Sequence, residues 1–325
     1  MVKKTLISVV VPVYKEEASI RPFLERMVPV LESIGAYEII FCLDPSPDRT
    51  EAVIMEAIAA NASIRLLIFS RRFGQAPATV AGIRHCSGEA CVTIDVDLQD
   101  PPELIPQMYA KLHEGYDVIL TRRKSRSDES FLKKLTAFAG YRLINAIADV
   151  PIPTDTGDFR MISRRVINEL SRMKEGHHFL RGLVNYIGFS HATVEYDRDG
   201  RFTGDTKYHA HCGSLRMALD GVFGFSSVPL SLVLWLGLFV CCISAAVMLY
   251  TFITAIFFAV PYPRGLPTMT IAMLFIGGVQ LISIGILGEY IGRIYDEVRG
   301  RPNYIVDRAV NIAAVSARPS GDPIS

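Results

Sequence analysis

The segment Ile94-Asp95-Val96-Asp97-Leu98-Gln99-Asp100-Pro101-Pro102 carries the densest chemistry in the chain. Two carboxylates at alternate positions leave an apolar run that reads as a buried strand. Carboxylates so placed are costly unless something cationic meets them. Oxygen ligands of this kind suit Mg2+ or Mn2+, with a diphosphate filling the remaining positions. Such an ion neutralises a departing nucleoside diphosphate. For an isolated Asp-x-Asp the plainer alternative is helix capping by Asp100 and solvation of the other two. Two more polar segments close apolar runs: Val11-Pro12-Val13-Tyr14-Lys15-Glu16-Glu17, and Asp44-Pro45-Ser46-Pro47-Asp48-Arg49-Thr50. An acid placed as Asp44 is can hold a ribose or a base edge; the alternative is a capped turn. No G-x-G-x-x-G follows the first run, which argues against a dinucleotide-dependent oxidoreductase.

These residues need elements to hold them. Candidate strands are Ile7–Val13, Glu38–Leu43, Arg65–Phe69, Ala90–Ile94 and Val118–Thr121. They are rich in Val and Ile and nearly continuous in apolarity, as strands covered on both faces are. Helical patterns lie between them at Ser19–Ser33, Thr50–Ala60, Ala76–His85 and Pro102–Glu114. Ser19 and Asp48 are plausible caps, and Pro101-Pro102 suits a helix start. The alternation predicts a doubly wound α/β domain with a mainly parallel sheet. Ligands in such sheets sit at the carboxyl ends of the strands, where the polar segments fall.

Half of the 325 residues are hydrophobic, and the excess sits in the last third. No charged residue occurs from Gly221 to Pro263, or from Gly265 to Gly288. A membrane span needs roughly 20 apolar residues. Two transmembrane helices are expected, over 228–260 and 266–290, joined by the short connector Pro261–Pro267. Arg198, Arg201, Lys207 and Arg216 precede the first span; Arg293, Arg299, Arg301 and Arg308 follow the second. The positive-inside rule then puts the α/β domain (1–213) and the C-terminal tail (291–325) in the cytoplasm. Residues 214–227 are mildly amphipathic and suit the interface plane, as does Phe131–Ile147, which could equally be a packing helix. The spans hold no charged pathway residue, against a transporter. Gly277, Gly278, Ser283, Gly285 and Gly288 would let helices pack closely, so a homo-oligomer is expected. A net charge of +1 gives no reason to expect nucleic acid. The six cysteines show neither metal spacing nor a disulfide framework and read as buried thiols in a reducing compartment. The apolar run Leu6–Val13 is broken by Pro12 and lacks a cleavage site, so it reads as a strand rather than a signal peptide.

Several segments together resemble the polyprenyl-phosphate glycosyltransferases of glycosyltransferase family two, which have a GT-A fold. They are VVPVYKEE (Val10–Glu17), RRFGQAPATVAGI (Arg71–Ile83), IDVDLQDPPELI (Ile94–Ile105), TGDFRMISRRV (Thr156–Val166), FLRGLVNYIGF (Phe179–Phe189), RFTGDTKY (Arg201–Tyr208) and ILGEYIGRIYDEVRGRPNYI (Ile286–Ile305). The likeness is nearest to the bactoprenol-phosphate glucosyltransferases, and the chain is also similar to dolichol-phosphate mannose synthases. It implies inverting transfer of a hexose, glucose from UDP-glucose, to a polyprenyl phosphate at the cytoplasmic membrane face. Another sugar, mannose or an aminoarabinose type, is the alternative donor; a non-catalytic scaffold or carrier is the alternative of another class. By the same resemblance Pro12, Tyr14, Glu16, Asp44 and Asp95 surround the nucleotide. Asp97 and Gln99 bind Mg2+ or Mn2+. Asp158, with Asp95, lies near the reacting sugar, and Arg122, Arg201 and Lys207 are candidates for donor or acceptor phosphates. Three positions depart from the family pattern. Lys15 replaces the usual Asn, Leu43 and Pro45 stand where Asp and Gly are common, and His209–Cys212 replaces a Pro-Leu and a basic residue.

Overall fold

The computed structural model describes residues 6–123, 156–173, 180–196 and 266–312, with scattered positions between 230 and 257. Its elements are β1 (Leu6–Val13), α1 (Ile20–Ile34), β2 (Ala36–Leu43), α2 (Thr50–Ala60), β3 (Ile64–Phe69), α3 (Gln75–His85), β4 (Ala90–Thr93), α4 (Ile105–His113), β5 (Val118–Arg123), β6 (Thr156–Ser163), α5 (Arg164–Arg172), α6 (Leu180–Ile187), β7 (His191–Tyr196), α7 (Leu266–Arg299) and β8 (Val306–Val310).

The strands form one sheet in the order β7-β5-β6-β4-β1-β2-β3-β8. Only β6 and β8 run against the rest. The central strands are buried on both faces, which is why their sequences are almost unbroken apolar runs. α1 turns Ile20, Phe23, Leu24, Met27 and Leu31 inward, one stripe at helical spacing. α3 lies close against β1 and β2 because Gly82 has no side chain. A Cβ there would stand 2.3 Å from Val10 Cγ1 and 2.8 Å from Cys42 Sγ. The chain steps from β1 to β2 to β3, then crosses back to place β4 on the other side of β1. The strand order therefore reverses between β1 and β4, and in open α/β sheets ligands bind outside the carboxyl ends of the strands at such a point.

The expected α/β sheet and every expected strand and helix of the first half are present, with small adjustments. Pro102–Leu104 is a single 3-10 turn before α4 begins at Ile105. Ser19 sits at the start of α1 but caps no backbone N–H; its hydroxyl donates to Glu16 Oε2 at 2.8 Å. Asp48 is not the cap of α2 either: Arg49 holds that position, and the Asp48 carboxylate accepts from the Thr50 hydroxyl at 2.8 Å. Cys42, Cys86 and Cys91 are buried free thiols, whereas Cys242 is exposed; burial pushes the Cys42 thiol up, and a hydrogen bond with Cys86, then burial, pushes Cys91 well above the ordinary thiol range.

Among the described residues one helix is long and apolar enough to cross a membrane, Phe275–Arg299 within α7. The structure thus carries one of the two expected spans, and that helix runs past the expected end at 290. The described positions between Leu230 and Phe257 are helical, but most of the first expected span lies outside the described residues, as do 214–227 and Phe131–Ile147. After α7 the chain does not trail away. Residues Val306–Val310 return as β8 and pair antiparallel with β3.

Candidate active site

The carboxyl ends of β1, β2 and β4 bring together Pro12, Tyr14, Glu16, Asp44, Asp95, Asp97 and Gln99. The turns after β1 and β2 are laced to each other. Lys15 N–H donates to Ser46 Oγ at 3.0 Å, Glu16 N–H to Thr50 Oγ1 at 2.9 Å, and Arg49 N–H to Glu17 Oε2 at 2.8 Å. Holding that turn forces Lys15 to a φ of 56°, a left-handed conformation that Asn adopts with less strain. The departure from the family at this position therefore has a backbone cost.

Asp44 is 3% exposed, and both its carboxylate oxygens face protein. Oδ1 accepts from Phe73 N–H and Oδ2 from Gly74 N–H, each at 2.9 Å. It thereby pins the loop Arg71–Gln75, where Gly74 takes a φ of 96°. The loop reaches two more predicted residues. Arg72 lies over the Tyr14 ring, 4.0 Å from its centroid, and Gln75 Nε2 donates to Asp95 Oδ1 at 2.7 Å. Arg71, Arg72 and Gln75 were not among the residues singled out from sequence. Their signal was present: two arginines and a glycine directly follow a strand's carboxyl end.

Asp97 is 8% exposed and accepts from Gln99 N–H at 3.2 Å, closing a tight turn in which Leu98 has a φ of 61°. Strain of this kind in a bulky residue is characteristic of functional turns. Asp100 takes no cap position; its carboxylate accepts from the buried Tyr196 hydroxyl, which ties the turn to β7. Among the described residues no group of three His, Cys, Asp or Glu is placed to hold a metal. The site instead offers a carboxylate pair with oxygen-only chemistry. That set fits a divalent ion which takes one or two carboxylates and fills its remaining positions with phosphate oxygens and water.

Asp158 arrives from the antiparallel β6. Thr93 pairs with Arg160, so two residues further on Asp158 stands level with Asp95. The Thr93 hydroxyl fixes this by donating to the Asp158 carbonyl at 2.6 Å. Arg160, 1% exposed, donates from a terminal nitrogen to Asp158 Oδ1 at 3.0 Å, while the carboxylate itself is half-exposed at the crevice. Arg160 is a further residue that the sequence did not single out by role; its only mark was its place in the segment Thr156–Val166.

Arg122 lies at the same end of the sheet, near the carboxyl end of β5, and its guanidinium pairs with Glu195 of β7. Two strands separate it from β1, so it stands roughly 10 Å or more from the nucleotide residues. Arg201 and Lys207 lie outside the described residues.

Comparison with known proteins agrees with this geometry. The family model for glycosyl transferase family 2 matches residues 8–171, and that for the GtrB C-terminal hairpin matches residues 228–294. The chain is 40% identical over 305 residues to the SfII prophage-derived bactoprenol glucosyl transferase of Shigella flexneri, covering 93% of this chain and 98% of that one. It is 39% identical over 304 residues to the prophage bactoprenol glucosyl transferase homolog of Escherichia coli K12, with the same coverages. It is 41% identical over 308 residues to YkcC of Bacillus subtilis, an uncharacterized glycosyltransferase, covering 94% of each. A solved glucosyl-3-phosphoglycerate synthase from Mycobacterium tuberculosis, in complex with Mn2+, UDP-glucose and phosphoglyceric acid, overlaps with a TM-score of 0.45 at 21% identity. That overlap covers 67% of this chain and 78% of the other.

Proposed function

The chain belongs to glycosyl transferase family 2 and is a glycosyltransferase; from that premise we propose that it moves glucose from UDP-glucose to a polyprenyl (undecaprenyl) phosphate, with inversion, on the cytoplasmic face of a membrane. The observation that carries this reading is likeness to bactoprenol glucosyl transferases at about 40% identity, running through both the α/β domain and the apolar C-terminal segment.

The geometry is in keeping with it. α7 exposes Met269, Met273, Phe275, Leu281, Ile282 and Ile284, a surface that water would not tolerate but lipid would. β8 runs antiparallel to β3, so its first residue lies at the carboxyl, site-bearing end of the sheet. Only Gly300–Ile305 separate that residue from the end of α7. The crevice is therefore tethered to the membrane side of the domain. The charged last turns of α7, Glu289–Arg299, would rise about 16 Å from the hydrocarbon at 1.5 Å per residue. Because β8 belongs to the same sheet as the site, the residues after α7 and the α/β domain would lie on one side of such a membrane. With a first span over 228–260, only Pro261–Pro267 would face outward. A topology reporter fused after Ile305 that was active on the outer face would overturn this arrangement.

The reaction joins two anions. A lipid phosphate monoester is mostly dianionic at neutral pH and needs little help from a base. One of its oxygens forms a bond to the anomeric carbon as the bond from that carbon to the UDP oxygen breaks, and UDP leaves. Tyr14, Glu16 and the loop held by Asp44 bind and orient the donor. Asp97 and Gln99 would hold the divalent ion, Mg2+ or Mn2+, beside Asp95, and the ion when bound offsets the charge of the leaving diphosphate. Asp158, steered by Arg160, orients sugar or acceptor. Arg122, Arg201 and Lys207 are the basic groups proposed to draw acceptor and donor phosphates together. On α7, an added Cβ at Gly277, Gly278, Gly285 or Gly288 would meet nothing within 4 Å, which leaves that surface open to a second copy of the helix. Crosslinking in membranes that gave monomer alone would remove the oligomer from the account.

The test of function is transfer itself. Purified enzyme with labelled UDP-glucose should move label into an organic-soluble product only when polyprenyl phosphate is added. Label that stayed aqueous with UDP-glucose but moved with another nucleotide-sugar would replace the donor. Label that moved with none would leave a carrier or scaffold.

A further inference from the structure

The segment between α7 and β8 makes contacts that a simple linker would not. Ser70, the first residue after β3, donates its N–H to Ile305 O at 3.0 Å, so the ladder with the C-terminal strand runs up to the edge of the Arg71–Gln75 loop. Tyr304 packs edge-on to Phe69, with centroids 5.9 Å apart and ring planes at 62°. Phe69 also packs edge-on to Phe73, at 6.2 Å and 80°. Tyr304 also meets His85, the last residue of α3, at 6.2 Å. α3 begins at Gln75, so both ends of the unit that carries the loop touch Tyr304 directly or through one ring.

Phe73 connects this aromatic row to the site. Its N–H is held by Asp44 Oδ1, and its ring carries Arg71, whose guanidinium carbon is 4.3 Å from the centroid. From there the chain passes through Gly74 to Gln75 and Asp95. The Asp44 carboxylate fixes the loop from the side of the crevice, and the row Tyr304–Phe69–Phe73 backs it from the side of the C-terminal strap. Both supports are aimed at one short loop, and one of them comes from residues that follow the membrane helix.

We propose that Tyr304 is a positioning residue for the donor site: its ring backs Phe69 and Phe73, so the strap descending from α7 sets the Arg71–Gln75 loop. The inference rests on the reading of that loop as part of the donor site. It adds that the site is completed from the far side of the membrane segment. A catalytic domain ending before the strap would then lose β8 and hold this loop poorly.

The experiment uses the full-length protein in detergent or nanodiscs and two readouts. The first is amide hydrogen exchange of peptides covering 70–76, without any ligand. The second is UDP-glucose affinity. Tyr304→Ala should speed exchange across 70–76 about fivefold, the size expected for losing an edge-to-face ring pair, and weaken UDP-glucose binding by a similar factor. Tyr304→Phe should restore both to near wild type. Arg308→Ala, which breaks an exposed ion pair to Glu51 further along β8, should leave 70–76 unchanged. If Tyr304→Ala does not yield folded protein, Tyr304→Leu, which keeps apolar volume without the ring, carries the same expectations. Unchanged exchange at 70–76 in the Ala or Leu variant would overturn the proposal. So would equal loosening by Arg308→Ala, since that would make the effect a general loss of the edge strand. A wild type that does not bind UDP-glucose would sink the donor assignment, while the exchange measurement still judges the strap.

Discussion

Replacing Asp44 by Asn separates a residue that touches the donor from one that holds the loop that does. The native carboxylate accepts two backbone N–H groups, one on each oxygen, at 2.9 Å. An amide of the same shape keeps one acceptor and turns an NH2 group toward the other N–H. One charge-assisted hydrogen bond is lost and a donor is left facing a donor. A hydrogen bond to a charged group contributes about 2 kcal/mol, which corresponds to roughly thirtyfold in the docked-to-undocked ratio of the loop. Donor binding would have to redock the loop, so the KM for the nucleotide-sugar should rise, by up to roughly thirtyfold, while kcat at saturating donor changes much less. Initial rates across donor concentration, at saturating lipid acceptor, measure this. Amide exchange at 70–76 in the ligand-free enzyme should accelerate together with it. A raised KM with unchanged exchange would mean that Asp44 contacts the nucleotide directly, and an unchanged KM would refute both roles.

Other perturbations follow from local geometry. Lys15→Asn should stabilise the protein by up to about 1 kcal/mol, because Asn accepts the left-handed φ of 56° more readily; a lower denaturation midpoint would contradict the strain argument. Gly82→Ala should destabilise by about 1–3 kcal/mol through overpacking against Val10 and Cys42, read as a fall in denaturant midpoint. Arg122→Ala should change stability by less than about 1 kcal/mol, since its ion pair with Glu195 is exposed. It should nonetheless lower turnover at least about tenfold if the guanidinium grips a phosphate, and wild-type turnover would remove Arg122 from the acceptor site.

The parts of the fold that were legible in sequence are those whose burial is symmetric. β1 and β4 are covered on both faces, so their sequences are apolar runs that can be read without a partner. β6 was not legible: Thr156–Ser163 holds Asp158 and the buried Arg160, and only tertiary pairing with β4 and β5 makes it a strand. β8 has five residues, two of them charged, on an exposed edge, so nothing local distinguishes it from a tail. In the site, the Asp-x-Asp turn stood out because charge at the end of an apolar strand is conspicuous. The loop Arg71–Gln75 gave a family likeness but no role, because its role consists of contacts to Tyr14, Asp44 and Asp95, which lie 20 to 61 residues away in sequence.

The carboxylate pair after β4 is proposed to serve transfer of a sugar from a nucleotide diphosphate to a lipid phosphate. The most direct measurement is the rate at which label from UDP-glucose reaches the organic phase as Mg2+ or Mn2+ is titrated, for wild type and Asp97→Asn side by side. Asn keeps the shape of the turn but removes the charge an ion needs, and loss of one such electrostatic contact costs about 3 kcal/mol, roughly a hundredfold in rate. The wild type should rise with metal and fall silent with chelator, while Asp97→Asn, folded and inserted normally, stays at least about a hundredfold slower at every metal concentration. An Asp97→Asn enzyme at the wild-type rate, or a wild type indifferent to chelator, would contradict the account.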